Sequence, residues 1–178
     1  MNIRIADLKD YEMVRGFYYR LIDEMKDAVY HPGWVKGVYP SDKYLRESVC
    51  RGELLIGVKA GIIIAAMIVN HECNESYSKI HWHSAAAPEE VMVIHALGIL
   101  PDYSGKGYAK QMVKHVLTLA EKRGQKAVRL DVLNGNVPAL KLYSGMGFKY
   151  VGTARMYYED TGWTYFMLYE YPLTYIAK

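Results

Sequence analysis

The chain has 178 residues, a length that predicts one domain covering residues 1–178. Its composition, with 51% hydrophobic and 23% charged residues, is that of an ordinary globular protein. The formal net charge is +3, and no dense stripe of lysine and arginine accompanies it. That pattern argues against a nucleic-acid partner and is compatible with an anionic ligand.

Cysteine content and hydropathy indicate the cellular compartment of the protein. Cys50 and Cys73 are too few for a disulfide framework and are expected to be free thiols in a reducing compartment. The first residues lack the apolar region of a signal peptide. The most apolar stretch, residues 54–69, is interrupted by Lys59 and is too short to span a bilayer. We therefore expect a cytoplasmic protein without a membrane partner.

The first half of the chain predicts a strand, two helices and a hairpin. Asp7 is a candidate cap for a helix from Leu8 to Lys26. Ser41 is a candidate cap for a second helix that ends at Cys50. The predicted strands are Ile3–Ile5, Glu53–Val58 and Ile62–Asn70, with a short one at Ile80–Trp82 inside a loop over residues 71–90.

The second half predicts a strand–helix–strand crossover. Val91–Leu100 is an almost continuous apolar run, as expected for a strand that is buried on both faces. From Ala109 the apolar residues recur at helical spacing until Gly124, and Ala127–Leu133 reads as the next strand. Such a unit implies two parallel strands with a right-handed connection.

The last third of the chain adds a short helix and two strands. Asn136 is a candidate cap, with Pro138 in the first turn of the helix. The strands are predicted at Tyr150–Tyr157 and Trp163–Tyr171. The whole order predicts a mixed α/β fold, with antiparallel hairpins at both ends and one parallel crossover.

The turn Ser104–Ala109 lies between a buried strand and a helix N-terminus. Gly105 and Gly107 let the backbone turn tightly and approach a ligand. The free N–H groups and the helix dipole favour a diphosphate there. A P-loop sequence is absent, and the dinucleotide fingerprint fails at Lys110. By itself the turn leaves two interpretations open, a phosphate site and a turn without a ligand.

Two segments resemble motifs of the GCN5-related N-acetyltransferase (GNAT) family. Within Leu97–Ala109, Gly107 and Ala109 match the last two fixed positions of the pattern Arg/Gln-x-x-Gly-x-Gly/Ala. Ser104 stands where that family has Arg or Gln. The segment Asn136–Tyr143, followed by Gly-Phe, is similar to the family's Asn-x-x-Ala-x-x-x-Tyr segment. The resemblance implies an acyl-CoA N-acyltransferase fold, in which helices flank a central mixed, mostly antiparallel sheet.

The resemblance also implies an activity, the transfer of the acetyl group of acetyl-CoA to an amine by direct aminolysis of the thioester. The amine is a small molecule or a protein amine, and no metal is expected. By resemblance, backbone groups of Leu97–Ile99 hold the pantetheine arm and the thioester carbonyl. The implied acetyl-CoA-binding residues are Leu97, Gly98, Ile99, Ser104, Gly105, Lys106, Gly107, Tyr108, Ala109, Asn136 and Ala139.

Two residues are candidates for proton transfer. Tyr143 matches the family's tyrosine that points its hydroxyl at the sulfur, and it is our candidate acid; helical spacing alone would make it a core aromatic residue. His95 lies on the strand before the turn and on the same face as Leu97 and Ile99. It is our candidate base, with a hydrogen-bonded core histidine as the alternative.

Two further groups of residues have a structural and a functional interpretation. Trp34, Tyr39 and Trp82 are candidate walls of an acceptor pocket, or packing residues. Residues spaced as zinc ligands on a strand, a pattern that a polar loop also gives by chance, are His71, Cys73, His81 and His83.

Three questions stay open at this stage. A non-catalytic acyl-CoA sensor or regulatory module is the alternative function. A donor with a longer acyl chain is compatible with the same residues. The protein is expected to be a monomer or a homodimer, because the tyrosine-rich last strands are candidates for pairing between subunits.

Overall fold

Seven strands form one sheet in the computed structural model, which describes residues 1–173. The strands are β1 (Asn2–Ile5), β2 (Leu54–Lys59), β3 (Ile62–Asn70), β4 (Val91–Ile99), β5 (Ala127–Leu133), β6 (Lys149–Tyr158) and β7 (Gly162–Pro172). The helices are α1 (Tyr11–Met25), α2 (Asp42–Cys50), α3 (Tyr108–Lys122) and α4 (Val137–Gly145).

The spatial order of the strands is β1-β2-β3-β4-β5-β7-β6. Only β4 and β5 are parallel, and α3 connects them. All other neighbours are antiparallel. The predicted mixed, mostly antiparallel sheet with one crossover is therefore confirmed.

Side chains alternate between two cores because successive residues of a strand point to opposite faces of the sheet. On one face, Ile56 and Ile68 pack with Leu21 of α1 and with α2. On the other face, Met67 and Leu130 pack with α3 and α4. Each helix thus buries one apolar stripe against the sheet.

Local capping agrees with the sequence. Ser41 Oγ accepts a hydrogen bond of 3.1 Å from the Tyr44 N–H at the start of α2. Asp7 accepts one of 2.7 Å from the Lys9 N–H, but it caps a 3-10 turn, Leu8–Asp10, and α1 begins only after that turn. The predicted first helix is therefore divided at its N-terminal end.

The predicted short strand at Ile80–Trp82 is wrong. A 3-10 turn, Glu75–Lys79, precedes it, and the Ile80 N–H donates back to the Tyr77 carbonyl at 3.2 Å. The Trp82 N–H donates to the Ile80 carbonyl at 3.1 Å. These local bonds take up the backbone groups that a strand would offer to a neighbour.

Two other expectations concern the cysteines and the membrane. Cys50 and Cys73 are both free and exposed. Across residues 1–173, every helix is too short or too polar to cross a lipid bilayer.

Candidate active site

The centre of the sheet opens because β4 and β5 separate. They are paired only where Val91–Val93 faces Ala127–Arg129. Beyond that point β4 stays paired with β3 as far as Ile99, and β5 stays paired with β7 as far as Leu133. The β4 backbone groups that point toward β5 are therefore available to a ligand.

A β-bulge in β4 shapes the edge of this opening. Ile68 of β3 faces His95 and Ala66 faces Gly98, so Ala96 and Leu97 share the space opposite one residue. Ala96 has φ +48°, a left-handed conformation that is uncommon for alanine. The buried Tyr18 hydroxyl donates a 2.8 Å hydrogen bond to the Ala96 carbonyl and holds this conformation. Strained backbone of this kind concentrates at functional sites.

A groove of about 590 Å³ runs from the bulge to the N-terminus of α3. All of the predicted acetyl-CoA-binding residues line it except Lys106, whose ammonium donates a 2.7 Å bond to the Asp102 carbonyl. Sequence analysis missed several lining residues, among them Leu21, Met25, Tyr103, Lys110, Pro138, Lys141 and Leu142. Gly98 allows α1 to pack closely against β4, because an added Cβ would collide with the Leu21 side chain of α1.

The N-terminus of α3 offers free N–H groups to the groove. Gly107 occupies the cap position with φ +79°, and no side chain of residues 1–173 caps the helix. The first helical hydrogen bond is made by the Gln111 N–H to the Gly107 carbonyl at 3.1 Å, so the preceding N–H groups are free for an anion. An added Cβ at Gly105 or Gly107 would meet nothing within 4 Å. The positive φ of the backbone, not crowding, is therefore what favours glycine.

A second cavity, of about 120 Å³, lies on the other side of the bulge. Leu97 and Tyr143 are among the residues that line both spaces, together with Asn136 and Ala139. The large groove and the small cavity therefore meet at Tyr143 and the bulge of β4.

Tyr143 is placed at this junction by α4. The Asn136 side chain caps that helix by accepting a 3.3 Å hydrogen bond from the Ala139 N–H. The Tyr143 ring packs edge-on against Phe148, with ring centroids 5.4 Å apart. Burial raises the pKa of Tyr143 above its ordinary value, so the hydroxyl keeps its proton at neutral pH.

His95 lines the small cavity. Its Nε2 lies 2.9 Å from Asn70 Oδ1 and 3.1 Å from the Glu72 carbonyl oxygen. Both partners are acceptors, so Nε2 carries the proton and Nδ1 has the free lone pair. Burial lowers the pKa of His95 to about 4, which leaves the ring neutral at physiological pH.

Asp131 of β5 is a functional candidate that sequence analysis missed. It lines the small cavity and accepts hydrogen bonds from the hydroxyls of Tyr77 at 2.8 Å and Tyr158 at 3.0 Å. Burial raises the pKa of Asp131, and the two hydroxyls oppose that shift. The signal in the sequence is a single acidic residue within the apolar strand Ala127–Leu133.

The turn between β6 and β7 contributes Asp160 and Thr161 to the same cavity. Burial raises the pKa of Asp160. Thr161 Oγ1 is buried and has no hydrogen-bond partner among residues 1–173. Gly33 packs on this turn, where an added Cβ would come within 2.8 Å of Thr161 Cγ2. The turn is thus held against the segment that carries Trp34.

The three predicted aromatic wall residues separate into two groups. Trp34 and Tyr39 line the small cavity, with ring centroids 6.2 Å apart. Trp82 lines neither space, since it lies beneath the Arg129 guanidinium, 4.2 Å from ring centroid to Cζ. Its ring also packs on Tyr77, 5.0 Å away, and so supports a hydrogen-bond donor to Asp131.

The histidines of the 71–90 loop are not gathered into a metal site. The His71 Nδ1 is 2.7 Å from the Val91 carbonyl oxygen. Within the described range of the chain, no three His, Cys, Asp or Glu side chains are placed to hold one ion.

Known proteins resemble this chain in sequence and in fold. The N-alpha-acetyltransferase RimI of Mycobacterium tuberculosis is 38% identical over 69 residues, which is 39% of this chain and 42% of that protein. The streptothricin acetyltransferase of Streptomyces lavendulae is 31% identical over 78 residues, 44% of this chain and 41% of that protein. The match therefore spans about two fifths of the length of these curated relatives.

A solved structure of a putative acetyltransferase from Salmonella typhimurium with acetyl-CoA has the same fold, with a TM-score of 0.69. The two chains are 15% identical, and the comparison covers 100% of this chain and 96% of that one. A family model for the acetyltransferase (GNAT) family matches residues 22–148, well over half of the chain, and this protein therefore belongs to that family.

Proposed function

We propose that the protein transfers the acetyl group of acetyl-CoA to a primary amine. The observation that carries the proposal is the junction at Tyr143, where a groove suited to acetyl-CoA meets a cavity with two carboxylates and an imidazole. Both curated relatives are named as acetyltransferases, which supports the same activity.

The residues of the groove fit acetyl-CoA. The free N–H groups at the N-terminus of α3 suit the diphosphate. Ser104 supplies no positive charge for the phosphates. The exposed residues Lys110 and Lys141 line the groove and can supply it. Leu97–Ile99 also line the groove and are the residues proposed to hold the pantetheine arm. The thioester would then lie beside the bulge of β4.

In the proposed reaction the amine nitrogen attacks the carbonyl carbon of the thioester. A C–N bond forms and the C–S bond breaks. Backbone N–H groups of β4 that β5 leaves unpaired stabilise the negative charge on the carbonyl oxygen. The Tyr143 hydroxyl donates its proton to the departing thiolate, and a base in the small cavity takes a proton from the amine.

Two groups can take the proton from the amine. His95, predicted from the sequence, has a pKa of about 4, which makes it a weak base at neutral pH. Burial raises the pKa of Asp131 above its ordinary value, which makes its carboxylate a stronger base than an ordinary aspartate. We propose Asp131 as the proton acceptor and His95 as the alternative.

The remaining expectations follow from the same proposal. Residues 1–178 would form one cytoplasmic domain that works as a monomer or a homodimer. The exposed Tyr157, Trp163 and Tyr165 on the outer hairpin are candidate subunit contacts.

The test is an acetyl-CoA thiol-release screen over polyamines, aminoglycosides, amino acids, arylalkylamines and peptide N-termini. We expect amine-dependent release with at least one class, at a rate that rises with enzyme concentration. Tight binding of acetyl-CoA with no release from any amine would instead support a non-catalytic sensor.

A further inference from the structure

Acidic residues outnumber basic ones in the lining of the small cavity. Two carboxylates, Asp131 and Asp160, line it, and no lysine or arginine does so in the part of the chain that the structure describes. His95 is neutral there at physiological pH. The other walls are mainly aromatic and aliphatic, and they include Trp34, Tyr39, Tyr158 and Phe166. Electron-rich aromatic faces next to carboxylates favour a cation.

Asp131 has hydrogen bonds but no positive partner. Burial raises the pKa of Asp131, and the hydrogen bonds from the Tyr77 and Tyr158 hydroxyls oppose that shift. No cation among the described residues contributes to it. A carboxylate in such surroundings remains costly unless a cation pairs with it. A bound ammonium group would supply the missing charge, and Asp131, a half-buried residue, lines the cavity that such a group would occupy.

Asp160 provides a second negative position in the same cavity. Tyr158, at the end of β6 and two residues before Asp160, donates a hydrogen bond to Asp131 and lines the same cavity. Among the described residues, Asp160 also lacks a salt-bridge partner within 4 Å, whereas Arg129, the basic residue of β5, is neutralised by Glu170 at 2.7 Å.

We propose that the acceptor is a dicationic amine, whose reacting nitrogen lies at Asp131 and whose second positive group lies at Asp160. This inference rests on the proposed acetyltransferase function and names the substrate class of the same site. The cavity has a volume of about 120 Å³, and both acidic residues belong to its lining. An α-amino acid is disfavoured, because its carboxylate would lie next to Asp131 without a basic residue to pair with it.

The experiment compares three amines that have five carbon atoms each: cadaverine, pentylamine and δ-aminovalerate. They differ only in the far group, which is positive, apolar or negative. We expect kcat/KM to fall in that order, by about tenfold at each step. Equal values for cadaverine and pentylamine would overturn the inference.

Two variants test where the second charge is recognised. Asp160→Asn is expected to reduce the preference for cadaverine over pentylamine by about tenfold. Glu159→Gln removes an exposed charge from the neighbouring residue, which does not line the cavity, and should keep the preference. The acetyl-CoA affinity of both variants, measured by calorimetry, reports whether the groove is intact.

The outcomes separate the two proposals. If the preference survives in Asp160→Asn with normal acetyl-CoA affinity, Asp160 is not the second site and the inference is wrong. If only monoamines or peptide N-termini release thiol, the dication is excluded and the acetyltransferase proposal stands. If no amine releases thiol, both proposals fail together.

Discussion

The Nε2 atom of His95 lies 2.9 Å from the Oδ1 atom of Asn70, at the point where β3 and β4 are paired next to the bulge. Together with the Glu72 carbonyl, this contact fixes the tautomer of the ring. The resulting neutral histidine is part of the cavity wall, and its depressed pKa has a consequence for stability.

His95 is expected to make the protein less stable in mild acid. The unfolded ring binds a proton near pH 6.5 but the folded ring only near pH 4, so stability falls as the pH decreases between these values. The loss amounts to roughly 3 kcal/mol over that window. His95→Gln should flatten this dependence in urea unfolding at several pH values. An unchanged slope would contradict a neutral histidine with a lowered pKa.

Asp131→Asn is expected to remove the acidic limb of the pH–rate profile. The carboxylate must be ionised to accept a proton, so activity should rise with pH through its raised pKa. Loss of the base should lower kcat/KM by about 10²–10⁴-fold. His95→Gln is the matched comparison and should keep the limb. If the acidic limb of the pH–rate profile is lost in His95→Gln and kept in Asp131→Asn, the histidine is the base instead.

Tyr143→Phe is expected to lower kcat with little effect on acetyl-CoA binding. The ring is packed against Phe148 and remains in the variant, whereas the proton donor at the junction is lost. The loss should be about 10²–10⁴-fold. Steady-state kinetics and calorimetry measure the two quantities separately. Normal turnover would remove Tyr143 from the mechanism.

Gly107→Ala is expected to weaken acetyl-CoA binding. Alanine at φ +79° costs about 1–2 kcal/mol, and the helix start that holds the diphosphate must shift to relieve that strain. Gly52→Ala is a matched control, because Gly52 also has positive φ, +68°, but lies outside the groove. Both variants should lose thermal stability, and only Gly107→Ala should raise the dissociation constant. Equal affinities in the two variants would exclude the helix start as the diphosphate site.

The parts of the site that sequence could predict are those set by local chemistry. The glycines of the turn and the cap at Asn136 act within a few residues, so the motif is sufficient to place them. Lys106 is the exception, because its flexible side chain folds back to Asp102.

The parts that sequence could not predict depend on long-range geometry. Asp131 becomes a site residue only because β4 and β5 separate and because Tyr77 and Tyr158 arrive from distant segments. Trp82 was expected as a pocket residue, but its ring packs against the guanidinium of Arg129 from β5. The bulge at Ala96 has no glycine to mark it, and it is stabilised by Tyr18 from another element.

The central claim is that an acetyl group passes from acetyl-CoA to an amine at the Tyr143 junction. It is tested most directly by measuring released thiol and acetylated amine in the same reaction, by a thiol reagent and by mass spectrometry. We predict equal amounts of the two products with the wild-type enzyme and much slower formation of both with Tyr143→Phe. Thiol released without acetylated amine would contradict the account.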